Sequence, residues 1–145
     1  MEVFRMKKLA VALLVSSICL SNAFSAFANV VPSPEEIARW EEEQKKYCDP
    51  IAKYEGIAPR ALQLVASDVK SVYSGFGSYT YVWGYTDVKD GNKDAYHYTR
   101  VEGRENDKVI AEKKVYGTGK VEAETDDIED GLHRTITARV FWGEK

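Results

Sequence analysis

The stretch Ser-Tyr-Thr-Tyr-Val-Trp-Gly-Tyr-Thr at residues 78–86 constrains the fold most, because its aromatic residues recur at every second position. A β-strand would place Tyr79, Tyr81, Trp83 and Tyr85 on one face, since successive side chains in a strand point to opposite sides. Further alternating segments follow, separated by turn residues. We therefore predict an antiparallel β-meander or small β-sandwich over residues 77–145.

Turn-forming residues divide this region into strands. Asp90-Gly91-Asn92 is a hairpin signal, and Glu105-Asn106-Asp107 turns the chain again. In the long third segment, Gly117 and Gly119 predict a bend at which the chain passes from one sheet to another. The predicted strands cover residues 78–87, 95–102, 108–125 and 132–142.

Residues 1–28 have the features of a secretory signal peptide. Lys7 and Lys8 precede an apolar run, and Ala26 and Ala28 supply small residues at −3 and −1 of a cleavage site. Polar residues interrupt the run before it reaches the roughly 20 residues of a membrane anchor. We predict cleavage before Asn29, a secreted or periplasmic location, and no membrane span in the 117 residues that remain of 145.

Residues 29–76 form the predicted helical segment. Ser33-Pro34-Glu35-Glu36 matches a capping box with proline at the first helical position, and the helix should end near Tyr47. A second helix is predicted from Ala61 to Tyr73, whose apolar residues recur at intervals of 3, 1, 3, 3 and 1. A strand is the alternative there, because Leu62, Leu64 and Ala66 also alternate. The predicted fold class is α+β.

Charge and cysteine content restrict the partners. The cleaved segment carries three basic residues and one acidic residue, so cleavage moves the net charge from −3 to −5. This balance argues against nucleic acid and anionic membranes as partners. Cys48 is the one cysteine left after cleavage, so no intramolecular disulfide can form. A buried thiol and an intermolecular bridge that makes a dimer through Cys48 are the alternatives.

Motifs for catalysis and cofactors are weak. A small hydrolase would have to use His97 or His133, yet no nucleophile signature surrounds any serine. The acidic loop at 126–131 fails the EF-hand pattern because Ile128 occupies the third ligand position. A looser calcium site from Glu124, Asp126, Asp127 and Asp130 is the alternative to a solvated loop. We predict no cofactor, no metal and no catalytic residue.

The aromatic residues are the remaining functional signal. Exposed rings on a sheet could stack on sugars or form a protein interface. The alternative is that they pack the core, with their hydroxyl groups reaching its edge. The binding candidates, if exposed, are Tyr79, Tyr81, Tyr85, Tyr96 and Tyr98.

Residues 79–145 resemble the secreted β-sandwich bacteriocins of the lactococcin type. The likeness is carried by Tyr81-Val82-Trp83-Gly84, by His97-Tyr98-Thr99-Arg100-Val101, by Lys120-Val121-Glu122-Ala123-Glu124 and by the close on Val140-Phe141-Trp142. The preceding helical segment and the acidic charge depart from that family. The resemblance implies growth inhibition at the cell envelope without enzymatic chemistry, and it assigns no functional residue.

These observations predict an exported, non-enzymatic protein that binds an envelope component or a protein ligand at the bacterial cell envelope or outside the cell. A bacteriocin-like antagonist is the sharpest form of this hypothesis. The alternatives are a small secreted hydrolase that uses His97 or His133, and a structural or inhibitory partner protein bridged through Cys48.

Overall fold

A computed structural model of the chain describes residues 31–57, 61–75 and 79–145. The predicted signal peptide lies outside the described residues. Helix α1, Pro34–Gln44, begins as the capping box predicts: the Ser33 hydroxyl accepts a hydrogen bond from the Glu36 amide at 3.2 Å, and the Glu36 carboxylate accepts one from the Ser33 amide at 2.8 Å. Both bonds satisfy amides that the first helical turn leaves unpaired.

The described residues form eight strands in two sheets: β1 (Cys48–Tyr54), β2 (Leu62–Tyr73), β3 (Thr80–Asp90), β4 (Lys93–Asp94), β5 (Tyr96–Glu105), β6 (Lys108–Thr118), β7 (Lys120–Glu124) and β8 (Thr137–Gly143). In the first, hereafter sheet A, the strand order is β1-β8-β5-β6, with β1 and β8 parallel and the other pairs antiparallel. In the second, sheet B, β3 pairs with β2, β4 and β7, all antiparallel. The protein is thus mainly β with one short helix in its described part, which fits the α+β prediction in its coarse form.

The predicted second helix is wrong, because these residues form β2. The pairing of β2 with β3 shifts between Leu64 and Ala66, which leaves Val65 as an extra residue in a bulge. Residues on the inner side therefore come at intervals of two, except for one interval of three across the bulge. The helical spacing arose because apolar residues occur on both faces of β2: Leu62, Val69 and Tyr73 lie on the inner side, whereas Val65, Ala66 and Val72 do not.

The predicted turns are confirmed. Asn106 and Asp107 connect β5 to β6 with φ of 49° and 64°, the left-handed conformation that a tight two-residue hairpin requires. At Gly119, with φ of 73°, the chain leaves sheet A as β6 and joins sheet B as β7. The last strand is shorter than predicted, because a 3-10 turn at Gly131–His133 comes before β8.

Both sheets contribute to one buried core. Val82 and Val88 of β3, together with Val101 of β5 and Val140 of β8, are almost inaccessible to solvent. Burying such a side chain stabilises the fold by roughly 1.5–3 kcal/mol. Among the described residues, no helix has the length and apolar character needed to cross a membrane.

Polar contacts also join the sheets. The hydroxyl groups of Thr86 in sheet B and Thr99 in sheet A lie 2.5 Å apart, and Thr99 donates to the Val121 carbonyl at 2.8 Å. Between β1 and β2, the Ser67 hydroxyl donates to the Pro50 carbonyl at 2.6 Å and accepts from the Ala52 amide at 3.0 Å. Hydrogen bonds therefore link the two sheets at two separate places.

Candidate binding surface

Strand β3 has a buried face and a half-buried face. The buried face carries Val82, Gly84, Thr86 and Val88, which contact the core. Its other face carries an aromatic row, defined here as Tyr81, Trp83 and Tyr85, with each residue half-buried. Because successive side chains of a strand point to opposite faces, the aromatic row does not pack into the core. Its rings are partly accessible from the other side of sheet B.

Two rings of the aromatic row already hold cations from neighbouring strands. Lys70, opposite Trp83 on β2, places its ammonium group 5.1 Å from the indole centroid. Lys120 of β7 places its ammonium group 4.4 Å from the Tyr85 centroid and also pairs with Glu122 at 3.0 Å. Both lysines lie within the range at which the negative face of an aromatic ring attracts a cation.

Carboxylates flank the row on the β7 side. Glu124 lies opposite Trp83 and Glu122 lies opposite Tyr85. The bridge between Thr80 and Ile128 extends this pairing beyond the end of β7, which brings Asp127 towards Tyr81. A surface groove of about 210 Å³ runs along this side, lined by Trp83, Lys113, Val115, Glu122, Ala123 and Glu124.

These charges affect the pKa of the Tyr81 phenol. Partial burial raises its pKa, and the negative charges of Glu124, Asp127 and Glu41 raise the same pKa further. Glu41 belongs to α1, so helix and sheet both contribute acidic groups to this end of the aromatic row. The arrangement disfavours a phenolate and favours a positive charge at Tyr81.

The structure divides the predicted candidates between two surfaces. Tyr81 and Tyr85 lie on sheet B, and Tyr79, 38% exposed, immediately precedes β3. Tyr96 and Tyr98 instead lie on β5, in sheet A. The five tyrosines therefore do not form one site.

On sheet A the two candidate tyrosines differ in exposure. Tyr96 is 56% exposed and stacks with exposed Tyr116, with the ring planes 18° apart and the centroids at 6.3 Å. Tyr98 is buried, and its hydroxyl donates to Glu55 at 2.7 Å. Burial and this carboxylate raise the pKa of Tyr98 to about 12. Tyr98 is thus a structural residue, whereas Tyr96 and Tyr116 present rings to solvent.

Sequence reasoning left Trp83 and Tyr116 out of the candidate list. Trp83 lies on the same strand face as Tyr81 and Tyr85, so its i, i+2 spacing could have identified it. Tyr116 is exposed on β6, but its partner Tyr96 comes from another strand. Their proximity depends on the β5–β6 register, which the strand pattern alone did not supply.

A network of charges on sheet A was also not anticipated. Glu102 is 1% exposed, and its carboxylate accepts hydrogen bonds from Arg100 at 2.7 Å and Arg104 at 2.5 Å. Arg100 also pairs with Glu55 and Glu112, and its guanidinium stacks 4.2 Å from the Phe141 centroid. All of these bonds are internal, so we interpret the network as structural.

The two histidines considered for hydrolysis lie in different environments, one buried and one exposed. His97 is fully buried; its Nε2 lies 2.9 Å from the Thr86 hydroxyl and its Nδ1 lies 3.0 Å from the Ala95 carbonyl. His133 is exposed on the 3-10 turn before β8. Both ring nitrogens of His97 are engaged, so its imidazole serves the contact between the sheets.

Cys48 and the acidic loop complete the predicted candidates. The Cys48 thiol is free and half-buried, donates to the Gln44 carbonyl at 3.3 Å, and has its pKa raised by burial. In the described ranges, no three His, Cys, Asp or Glu side chains group in a way that could hold a metal ion. The loop carboxylates Glu124, Asp126, Asp127 and Asp130 are therefore not assembled into a calcium site.

Comparison with known proteins gives no relative: no family model, no curated protein and no solved structure matches this chain.

Proposed function

We propose that this protein is an exported, non-enzymatic binding protein that acts at the bacterial cell envelope or outside the cell, and that the aromatic row is its binding surface. The observation that carries the proposal is the half-buried row Tyr81, Trp83 and Tyr85 on the face of β3 that points away from the core. The row is therefore partly accessible to a partner, with Lys70 over Trp83 and Lys120 over Tyr85. Export is supported by the signal-peptide pattern of residues 1–28.

Aromatic side chains suit such a role physically. Tyrosine and tryptophan offer a large rigid area for contact and lose little conformational entropy on binding. The flanking carboxylates and the groove beside Trp83 add hydrogen-bonding groups and a concave edge. Together they provide an apolar centre with a polar margin, the usual composition of an interface.

The fold we propose for this binder is a β-sandwich. Its support is the core shared by both sheets and the pair of direct polar links, Thr86 with Thr99 and Ser67 with Pro50. In a sandwich the outer faces of the two sheets point away from each other. The aromatic row and the Tyr96–Tyr116 pair would then serve separate surfaces.

The experiment that tests the proposed function is a pull-down with the protein lacking residues 1–28. The immobilised protein is incubated with solubilised envelope fractions and with culture supernatant, and bare resin is the control. We expect a component to be retained specifically by the protein. Equal recovery on protein and bare resin, with the protein folded by circular dichroism, contradicts the proposal.

A growth assay on related bacteria tests the antagonist form of the proposal, which rests on the resemblance of residues 79–145 to lactococcin-type bacteriocins. Inhibition by the purified folded protein supports it, and growth unchanged on every strain argues against it. Substitution of His97 or His133 by alanine distinguishes a binding protein from a hydrolase. Inhibition that persists in a folded His133→Ala variant is the result expected of a binder.

A further inference from the structure

We propose that the Tyr81 end of the aromatic row is a cation site that receives a lysine or arginine side chain of a partner polypeptide. This inference rests on the proposed function, because it assigns the chemistry of the partner that the aromatic row binds. Three carboxylates, from Glu41, Glu124 and Asp127, would complete the site around the phenol ring.

The cations are distributed unevenly along the aromatic row. Trp83 holds the Lys70 ammonium group and Tyr85 holds that of Lys120, so two of the three rings bind a cation from within the chain. On β2, the residue opposite Tyr81 is Val72, where Trp83 has Lys70. Among the described residues, no lysine or arginine stacks on Tyr81. The ring that lacks an internal cation is therefore the one at the end of the row.

Carboxylates without an ion-pair partner act on the Tyr81 ring. Glu122 is neutralised by Lys120, but Glu41, Glu124 and Asp127 form no ion pair with any described residue. The charges of all three act on the Tyr81 phenol and produce a negative potential there, and the ring face adds to it. Two lysines lie near these carboxylates without forming an ion pair with them: Lys113 lines the Trp83 groove beside Glu124, and Lys45, which interacts with Glu41 at longer range, pairs with Glu42.

The groups around Tyr81 favour a cation over a sugar as the occupant. A sugar stacks on open ring faces, whereas Lys70 and Lys120 stand over Trp83 and Tyr85. At Tyr81 the flanking groups are anionic acceptors, which match the donors of an ammonium or guanidinium group. A partner polypeptide with exposed basic residues supplies both the cation and further contacts along the aromatic row. The acidic charge of the chain, −3 in total, favours the encounter.

The test uses a capped octalysine peptide as the probe, titrated calorimetrically into the protein lacking residues 1–28 at low ionic strength. Tyr81→Leu, which removes the ring, should weaken binding about twofold to fivefold, and Tyr81→Phe should retain it. Glu41→Gln should weaken binding about twofold to threefold. Glu43→Gln is the matched control, because it removes the same charge from the other side of α1, where Glu43 lines a different surface with Arg39 and Lys46.

The inference is overturned if octalysine binds Glu41→Gln, Glu43→Gln and wild type with equal affinity. It is also overturned if Tyr81→Leu and Tyr81→Phe bind it equally. Either result shows general attraction to an acidic protein. If Tyr81→Leu fails to fold, Asp127→Asn takes its place, with Asp90→Asn at the exposed end of β3 as its control. Retention in the pull-down could depend on Trp83 while the octalysine affinity does not depend on Tyr81. That combination overturns the cation site and leaves the proposed function standing. Displacement of the peptide from wild type by a soluble glycan fraction also counts against a polypeptide partner.

Discussion

Arg100 and Glu55 form a bidentate ion pair. It connects Glu55, the residue after β1, to Arg100 in the middle of β5. The guanidinium Nη2 donates to Glu55 Oε1 at 2.6 Å, and its Nε lies 3.1 Å and 3.2 Å from the two carboxylate oxygens. β1 pairs with β8 rather than with β5, so this contact spans the width of one strand. The Glu55 carboxylate also accepts the Tyr98 hydroxyl, which makes it the meeting point of three side chains.

Low pH should weaken the ion pair between Arg100 and Glu55. Partial burial raises the pKa of Glu55, but hydrogen bonds from Arg100 and Tyr98 outweigh it and hold the pKa below its usual value. A carboxylate whose pKa is lowered by folding stabilises the native state above its unfolded pKa, and this stability is lost as the pH falls through the folded pKa. We expect Glu55→Gln to lower the free energy of unfolding at pH 7 by about 1–2 kcal/mol. Chemical denaturation at pH 7 and near pH 3 should show the difference from wild type shrinking at the lower pH; a difference that grows contradicts the assignment.

Removing the buried carboxylate of Glu102 should destabilise the fold more than removing an exposed one. Glu102→Ala leaves Arg104 without its ion-pair partner and Arg100 without one of three, at an expected cost of about 2–3 kcal/mol. Glu112→Ala removes an exposed carboxylate from the same guanidinium and should cost under about 0.5 kcal/mol. Urea denaturation of both variants makes the comparison. Similar losses would show that the network is not organised around Glu102.

Strand β3 should not tolerate a side chain at Gly84. A Cβ there would lie 2.7 Å from the Asp68 carbonyl oxygen and 2.9 Å from a Val101 methyl carbon, so β2 or β5 would have to move. We expect Gly84→Ala to cost about 2–3 kcal/mol. Gly91→Ala is the comparison, since its Cβ would meet nothing within 4 Å and its cost of about 1 kcal/mol would come from a φ of 59° alone. Thermal unfolding in which Gly84→Ala is the milder change would refute the close packing of the sheets here.

The hairpin between β5 and β6 offers a stabilising change. Asp107 has a φ of 64°, and glycine adopts that conformation without steric cost. Asp107→Gly should therefore raise the free energy of unfolding by about 0.5–1 kcal/mol, while Asp107→Val should lower it. The Arg104 contact is made to the Asp107 carbonyl, which both variants retain. Equal melting temperatures for the two variants would contradict the strained turn.

The elements that sequence predicted correctly are those fixed by local chemistry. The capping box at Ser33 and Glu36 needs four consecutive residues, and the turn at Asn106 and Asp107 needs two. Each is determined by short-range hydrogen bonds and backbone preference. The passage of the chain between sheets near Gly119 was predicted on the same basis.

The errors and omissions depend on long-range pairing. The bulge at Val65 belongs to the β2–β3 register, and without that register the apolar spacing of β2 favoured a helix. The cations over Trp83 and Tyr85 come from residues brought alongside by β2 and β7. The aromatic row itself was visible in the sequence, but whether it faced the core was decided by the inward placement of Val82, Thr86 and Val88.

The Trp83→Ala variant tests most directly whether the aromatic row is the binding surface. The variant and wild type, both lacking residues 1–28, are compared in the same pull-down from envelope fractions and culture supernatant. Tyr116→Ala, which removes an exposed ring on sheet A, is the matched control. We predict that Trp83→Ala retains less than about a tenth of the component bound by wild type, as expected when a central interface tryptophan is lost, while Tyr116→Ala retains all of it. Undiminished retention by a folded Trp83→Ala protein would contradict the account.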